Sequence, residues 1–220
     1  MKKKIKYLIQ IISPGILAAT LIFISSLLIF SYIADENVLE NNNAFDTKVM
    51  VLVTSFSTPL LIRVMHIITF FGSTQFLLPA YCMLAGYFLY KRNIFFARSI
   101  VLIAVSSTAF MYLLKFLFKR HRPVLPHVKI IIGYGFPSGH SISSLIFFSI
   151  VAYIIWLSSI RKVLKYFVIF LLLLFSLLIG ISRIVLNVHF ATDVIAGFCF
   201  SIMWLLLSYF LLVKFKKKTL

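Results

Sequence analysis

The chain has 220 residues, of which 62% are hydrophobic and only 12% are charged, and it carries a net charge of +17. Soluble domains are about half apolar and a quarter charged, so this composition excludes an ordinary soluble domain and indicates an integral membrane protein. The two cysteines, Cys82 and Cys199, lie within apolar stretches without metal-ligand spacing, which argues against a zinc site or a disulfide framework.

Six apolar stretches are each long enough to cross a bilayer, which requires about 20 residues. In chain order they are Ile11–Ala34, Pro59–Tyr90, Ala97–Lys119, His140–Leu157, Lys165–Leu186 and Asp193–Val213. They predict an all-α, polytopic bundle of six transmembrane helices, in a single domain over 1–220 with a motif-bearing core at 97–213. The first stretch is too long for a signal peptide, so we expect a retained helix. The second exceeds one span and should break near Gly72.

A polar segment, Asp35–Lys48, separates the first two stretches. Its sequence DENVLENNN is typical of a solvated loop. Residues 44–57 could form an amphipathic helix near the site entrance, or serve only as a connector.

Basic residues recur in alternate loops. They lie in Met1–Lys6 and at Lys91, Arg92, Arg98, Arg161, Lys162, Lys165, Lys214, Lys216, Lys217 and Lys218. Because basic loops stay in the cytoplasm, this pattern predicts cytoplasmic N and C termini. Charges divided among short loops at a membrane surface argue against a nucleic-acid partner and favour contact with membrane lipids.

Cations also occur on the predicted outer side, where the rule expects few. They are Lys115, Lys119, Arg120, Arg122 and Lys129, with Arg183 near the outer end of the fifth helix. We interpret Lys119 and Arg120 as snorkelling side chains that reach water from a helix end. Lys115 lies deeper, and Pro123 should end its helix at Arg122.

The remaining cations lack acidic partners in the sequence. The acids are Asp35, Glu36, Glu40, Asp46 and Asp193, so a single carboxylate follows Asp46. A surplus of positive charge at a membrane edge predicts an anion site, and a guanidinium group fits phosphate oxygens well. We expect Lys115, Arg122 and Arg183 to bind that phosphate.

The stretch FPSGHSISSL, residues 136–145, begins the fourth helix. Ser138 is the predicted N-cap, and the free N–H groups that follow would bind phosphate. Gly139 allows a close approach of an oxyanion, and His140 can hold or deliver a proton. The alternative is a plain cap with an incidental histidine.

His189 and Asp193 are spaced i, i+4, so the carboxylate can reach the imidazole. Such a contact fixes the histidine tautomer and leaves the other ring nitrogen free to attack. Alternatively, Asp193 only favours the start of the sixth helix through the helix dipole.

Together these residues resemble the type 2 phosphatidic acid phosphatase superfamily of lipid phosphate phosphatases, which is related to vanadium haloperoxidases. The first motif is Lys115 to Arg122-Pro123, the second is Pro137-Ser138-Gly139-His140, and the third is Ser182-Arg183, His189 and Asp193. Asn187 stands where many family members carry glycine, and asparagine tolerates left-handed backbone. Hydropathy excludes the soluble haloperoxidase branch.

The resemblance implies a metal-independent phosphatase without a cofactor that forms a phosphohistidine. His189 would be the nucleophile, Asp193 its orienting partner, and His140 the general acid and base. Lys115, Arg122, Ser138, Gly139 and Arg183 would bind phosphate. The reaction would occur at the extracytoplasmic face of the plasma membrane, on a lipid-linked phosphate or diphosphate.

Several functions stay open at this level. Undecaprenyl diphosphate is the preferred substrate, and phosphatidylglycerophosphate or phosphatidate is the alternative. The same phosphohistidine could transfer its group to a lipid or sugar acceptor, and a non-catalytic transporter or lipid-binding protein is the third class. A two-metal mechanism would need more carboxylates than the sequence offers near the site. The sequence does not specify the oligomeric state.

Overall fold

The computed structural model describes residues 14–123 and 133–218, without the side chains of 213–218. The N-terminal lysines, Ile11 to Ser13 and Lys129 lie outside these residues. The described part of the chain is mainly helical and contains no strand, which confirms the all-α prediction. The helices are α1 Pro14–Ile33, α2 Ala44–Phe56, α3 Pro59–Phe70, α4 Thr74–Tyr90, α5 Ile94–Phe118, α6 Gly139–Leu157, α7 Lys162–Val185 and α8 Ala191–Lys218, with a π-helical turn Ala34–Leu39 that continues α1.

Six segments of the described chain are long and apolar enough to cross a membrane. They are Pro14–Leu39, Pro59–Tyr90, Ile94–Phe118, Gly139–Leu157, Lys162–Val185 and Ala191–Leu212. Each overlaps one predicted stretch, so hydropathy identified all six. Many large apolar side chains on the outside of the bundle are exposed, as lipid contact requires; Leu28 is 64% and Leu60 71% exposed.

The second span consists of two consecutive helices, as its length predicted. Thr58 caps α3 by accepting a hydrogen bond from the Leu61 N–H at 3.2 Å, and α4 begins after Ser73. Gly72 lies in the break and is buried. A Cβ atom at Gly72 would lie 2.5 Å from Ile179 Cγ2 and 3.1 Å from His140 Cδ2, so only glycine lets the break pack here.

Helix α6 is the centre of the bundle. It packs against α4, α5, α7 and α8, and about half of its residues are buried. Phe147 and Phe148 contact aromatic side chains from α4 and α7, while Ile142 and Ile146 face α8 and α5 in a second apolar cluster. Packing on several sides holds the N-terminus of α6 in place, where the second motif begins.

Two local predictions were wrong. Helix α5 ends at Phe118, before Arg122, because Lys119 adopts left-handed backbone with φ 48° and turns the chain. The stretch DENVLENNN is not a solvated loop throughout, because it forms most of the π-helical turn and Asn37 and Val38 are buried. Asp46, which follows it in α2, is fully buried. Residues Ala44–Phe56 form a helix, and the expected position of this helix near the site entrance stays a prediction.

Candidate active site

A cavity of about 460 Å³ lies at the end of the bundle where α5 ends and α6 begins. Residues from all three motifs line it: Lys115, Arg122, Gly139, His140, Arg183 and His189. Asp193 and Ser138 are fully buried and do not line the cavity. The three motifs, distant in sequence, therefore meet in space.

His189 is 2% exposed and lies in the short connection between α7 and α8. The connection turns at Asn187, whose φ of 54° is in the left-handed region, as the substitution of asparagine for glycine predicted. The His189 N–H then donates to the Arg183 carbonyl at 3.3 Å. These contacts direct the imidazole between Asp193 and the cavity.

The hydrogen bonds of His189 identify its tautomer. Arg122 Nη1 lies 2.9 Å from His189 Nε2, and Asp193 Oδ2 lies 3.3 Å from His189 Nδ1. A guanidinium group can only donate, so Nε2 is the acceptor and carries the lone pair. The proton is therefore on Nδ1, where it faces the Asp193 carboxylate. Asp193, on the Nδ1 side, does not line the cavity, whereas Arg122, on the Nε2 side, does. Nε2 is therefore the nitrogen that can attack a substrate in the cavity once Arg122 releases its lone pair.

Burial lowers the pKa of His189 well below its usual value of 6.5. The positive charges of Arg122, Arg183 and Lys115 lower this pKa further. The imidazole is therefore neutral at physiological pH, and only a neutral imidazole has a lone pair with which to attack phosphorus.

Arg122 is half-buried and lines the cavity. Its Nε donates to the Gly133 carbonyl at 3.0 Å, Nη1 to the Val188 carbonyl at 3.1 Å and Nη2 to the Tyr134 carbonyl at 3.2 Å. These neutral acceptors do not compensate its charge, so the guanidinium remains attractive to an anion.

Lys115 holds the segment before α6. Its Nζ donates to the carbonyls of Tyr134 at 2.9 Å, Gly135 at 3.3 Å and Pro137 at 2.8 Å. An ammonium group has three donors, so all of them are used. Lys115 can therefore attract phosphate through its charge, but it must release a carbonyl to donate to a phosphate oxygen.

Ser138 is the N-cap of α6, as predicted. Its Oγ accepts from Ser141 N at 3.5 Å and from Ser141 Oγ at 3.0 Å. Because its side chain is fully buried in this cap, its expected role as a phosphate ligand stays a prediction. Gly139 lines the cavity, and a Cβ there would lie 3.0 Å from Met111 Sδ and narrow the space beside the helix terminus. His140 follows it on the cavity wall, next to Gly72.

Arg183 is 3% exposed near the end of α7. Its Nη1 donates to Thr69 Oγ1 at 2.7 Å, whereas its Nε is buried without a hydrogen-bond partner among the described residues. A buried N–H group without an acceptor is costly, and an oxygen of a bound anion would satisfy it.

The interpretation of Arg120 as a snorkelling side chain was wrong. Arg120 is 7% exposed and forms ion pairs with Asp46 and Asp193, each at 2.7 Å. No acidic residue lies near Arg120 in the sequence: Asp46 reaches it from α2 and Asp193 from the start of α8. The left-handed turn at Lys119 directs Arg120 inward, whereas Lys119 is exposed, with Nζ 5.2 Å from the Phe116 ring centroid.

Comparisons with known proteins identify the family of the chain. The family model described as PAP2 superfamily matches residues 96–217. Phosphatidylglycerophosphatase B of Bacillus subtilis is 30% identical over 197 residues, which are 87% of this chain and 91% of that protein.

Two solved structures share the fold. The transmembrane PAP2-type phosphatidylglycerolphosphate phosphatase of Bacillus subtilis superposes with a TM-score of 0.78 at 27% identity, covering 89% of this chain and 96% of that one. Aquifex aeolicus LpxE superposes with a TM-score of 0.60 at 22% identity over 76% of this chain and 96% of its own, which supports the fold alone. The chain therefore belongs to the PAP2 superfamily, among its multi-pass membrane proteins.

Proposed function

We propose that this protein is a lipid phosphate phosphatase that hydrolyses its substrate through a phosphohistidine on His189, without a metal ion. The observation that carries the proposal is the His189 tautomer: Nε2 bears the lone pair at the cavity, while Nδ1–H faces Asp193. A protein that only bound phosphate would need the cations but not an oriented, neutral imidazole.

The reaction would proceed in two steps, phosphoryl transfer to His189 and hydrolysis of the phosphohistidine. His189 Nε2 attacks phosphorus and forms a P–N bond, while the P–O bond to the leaving group breaks and His140 supplies the proton that this oxygen takes up. Water then attacks phosphorus, His140 accepts a proton from it, and the electron pair of the P–N bond returns to Nε2. A bound phosphate dianion beside His140 favours its protonated form, as the first step requires.

Stabilisation of the transferring phosphoryl group would come from Arg122 and Arg183. Arg122 now donates to His189 Nε2, so it would move to a phosphate oxygen as the lone pair is released. Arg183 offers its unpartnered Nε, and Gly139 its position at the N-terminus of α6. Phosphoryl transfer depends mainly on such positioning and charge stabilisation, and each preorganised donor can contribute about 3 kcal/mol.

Metal independence is supported by the chemistry of the donors. Positively charged side chains line the cavity, and the buried carboxylates of Asp46 and Asp193 both accept hydrogen bonds from Arg120. A two-metal phosphatase would need several carboxylates free to bind its ions.

A lipid substrate is supported by a second, apolar cavity of about 610 Å³ between α4 and α5. It shares Thr74, Met111, Tyr112 and Ser143 with the cavity that holds the motif residues. A hydrocarbon chain could therefore lie between these helices while its phosphate enters the site.

Phosphatidylglycerophosphate is the first substrate to test, because the relative that is 30% identical is named a phosphatidylglycerophosphatase. Undecaprenyl diphosphate, preferred from the sequence, is the second candidate. We place the site at the extracytoplasmic face of the plasma membrane with both termini in the cytoplasm, in accordance with the basic loops.

The test is phosphate release by purified protein in detergent from both lipids, with and without chelator. We expect release to persist in chelator, to be inhibited by vanadate, and to be lost in H189A but not in H121A, which changes an exposed histidine. A phosphoenzyme that survives alkaline quench but not acid would identify the phosphohistidine. Product analysis with added lipid or sugar acceptor distinguishes hydrolysis from transfer. Loss of activity in chelator and its recovery with Mg²⁺ would contradict the metal-free mechanism.

A further inference from the structure

Arg120 lies behind the nucleophile and is enclosed by protein. Its Nη1 donates to Asp193 Oδ1 and to Thr192 Oγ1, both at 2.7 Å. Its Nη2 donates to Asp46 Oδ2 at 2.7 Å and to Asn43 Oδ1 at 2.8 Å. It is 7% exposed and does not line the cavity, so it has no route to a substrate phosphate.

Asp193 divides its two oxygens between Arg120 and the nucleophile. Oδ1 accepts from Arg120, while Oδ2 faces His189 Nδ1 at 3.3 Å and accepts the Phe190 N–H at 3.1 Å. Contacts at both oxygens fix the plane of the carboxylate. The guanidinium carbon also lies 4.5 Å from the centroid of the Phe190 ring, which restricts rotation of Arg120 itself.

Asp46 holds this arrangement in place from α2, which lies outside the six membrane-spanning segments. Its Oδ1 accepts the Thr192 N–H at 3.0 Å, and its Oδ2 accepts from Thr192 Oγ1 at 2.6 Å as well as from Arg120. Asp46, Arg120 and Asp193 together have a formal net charge of −1. That charge matters when His189 becomes positive, because an uncompensated guanidinium would oppose the imidazolium that forms during attack.

We propose that Arg120 is a positioning residue for the proposed phosphatase reaction: held by Asp46, it keeps the Asp193 carboxylate oriented toward His189. This inference rests on the proposed function. It assigns to α2 a role in the chemistry, although α2 contributes no side chain to the cavity.

The experiment measures kcat and KM of phosphate release for R120Q, R120K and D46N, with K119Q as the control because it removes the adjacent, exposed cation. We expect R120Q to lower kcat by about 10- to 100-fold, the loss typical when a group that orients a metal-ligating histidine is removed, while KM changes little. R120K should recover part of kcat, because it keeps the charge but not the planar fork, and D46N should lose less than R120Q. K119Q should match the wild type.

A double-mutant cycle separates this role from a general structural one. If Arg120 acts through Asp193, R120Q should cause no further loss of kcat in a D193N background. An equal loss in both backgrounds, or a raised KM with kcat retained, would overturn the inference. Thermal unfolding in detergent checks that each variant is folded. If R120Q does not fold, R120K and D46N decide, and wild-type kcat in both overturns the inference.

The two proposals fail in different ways. Wild-type protein that released no phosphate from any lipid would refute the proposed function, and this inference with it. An active wild type and an inactive H189A, together with fully active Arg120 and Asp46 variants, would refute this inference alone.

Discussion

At residue 189, burial and neighbouring cations act on the imidazole in the same direction. Both disfavour the charged form, so the pKa of His189 in the folded protein lies well below that of the unfolded chain. The sign for stability follows from proton binding: below pH of about 6.5 the unfolded chain binds a proton that the folded site refuses. The stability contribution is therefore complete above about pH 6.5 and is lost as the pH falls from there toward the folded pKa.

We predict that the thermal midpoint of the wild type decreases when the pH is lowered from about 7.5 to about 5.5, the range around the usual histidine pKa. In H189N, which has no proton to gain at this position, the fall should be smaller. Differential scanning fluorimetry in detergent at each pH measures this, with H121A as the exposed-histidine control. Equal pH dependence in the wild type and H189N would mean that the pKa of His189 is the same in the folded and unfolded protein, which would contradict this prediction.

Contacts between individual side chains were the least predictable feature of the site. The motifs correctly predicted that His189, Asp193, His140 and Arg183 lie close together, because each motif lies at a helix end. It did not predict the pairing of Arg120 with Asp46, which are 74 residues apart in sequence. That contact depends on the left-handed turn after α5 and on the docking of α2, and neither leaves a periodic signal in the chain.

Among the elements, α4 and α5 have a distinctive role because they enclose the apolar cavity beside the site. Ala104 of α5 lines this cavity, whereas Leu102 is 63% exposed on the same helix and does not line it. Small side chains such as that of Ala104 leave room between the helices, which a larger side chain would fill.

We predict that A104W raises KM for a long-chain lipid phosphate but not for a short-chain, water-soluble analogue. Displacing two methylene groups costs about 0.8 kcal/mol each, which corresponds to roughly a tenfold change. The control is L102W, which adds the same side chain on the lipid-facing surface. Equal effects on both substrates would place the hydrocarbon chain elsewhere.

For the whole molecule, hydropathy alone predicted the six spans, because each must supply an apolar surface to lipid on one side and to the bundle on the other. The break of the second span was predictable from its 32 residues, which exceed one bilayer crossing. The position of α2 was not, because a helix that lies outside the spans is not constrained by bilayer thickness.

The proposed orientation can be tested by labelling. In a C82S/C199A background, E40C lies between the first two spans and S159C between the fourth and fifth. We expect a membrane-impermeant maleimide to label E40C in intact cells and S159C only after permeabilisation. The reverse pattern would place the site in the cytoplasm.

The hold of Lys115 on three carbonyls has a consequence for which cation can occupy that position. The peptide from Tyr134 to Pro137 curls around one nitrogen much as a crown ether surrounds a potassium ion. An arginine carries the same charge, but its N–H groups diverge in a plane and cannot converge on oxygens grouped around a single point. Lysine and arginine are therefore not interchangeable at position 115, although the neighbouring cations of the site are arginines.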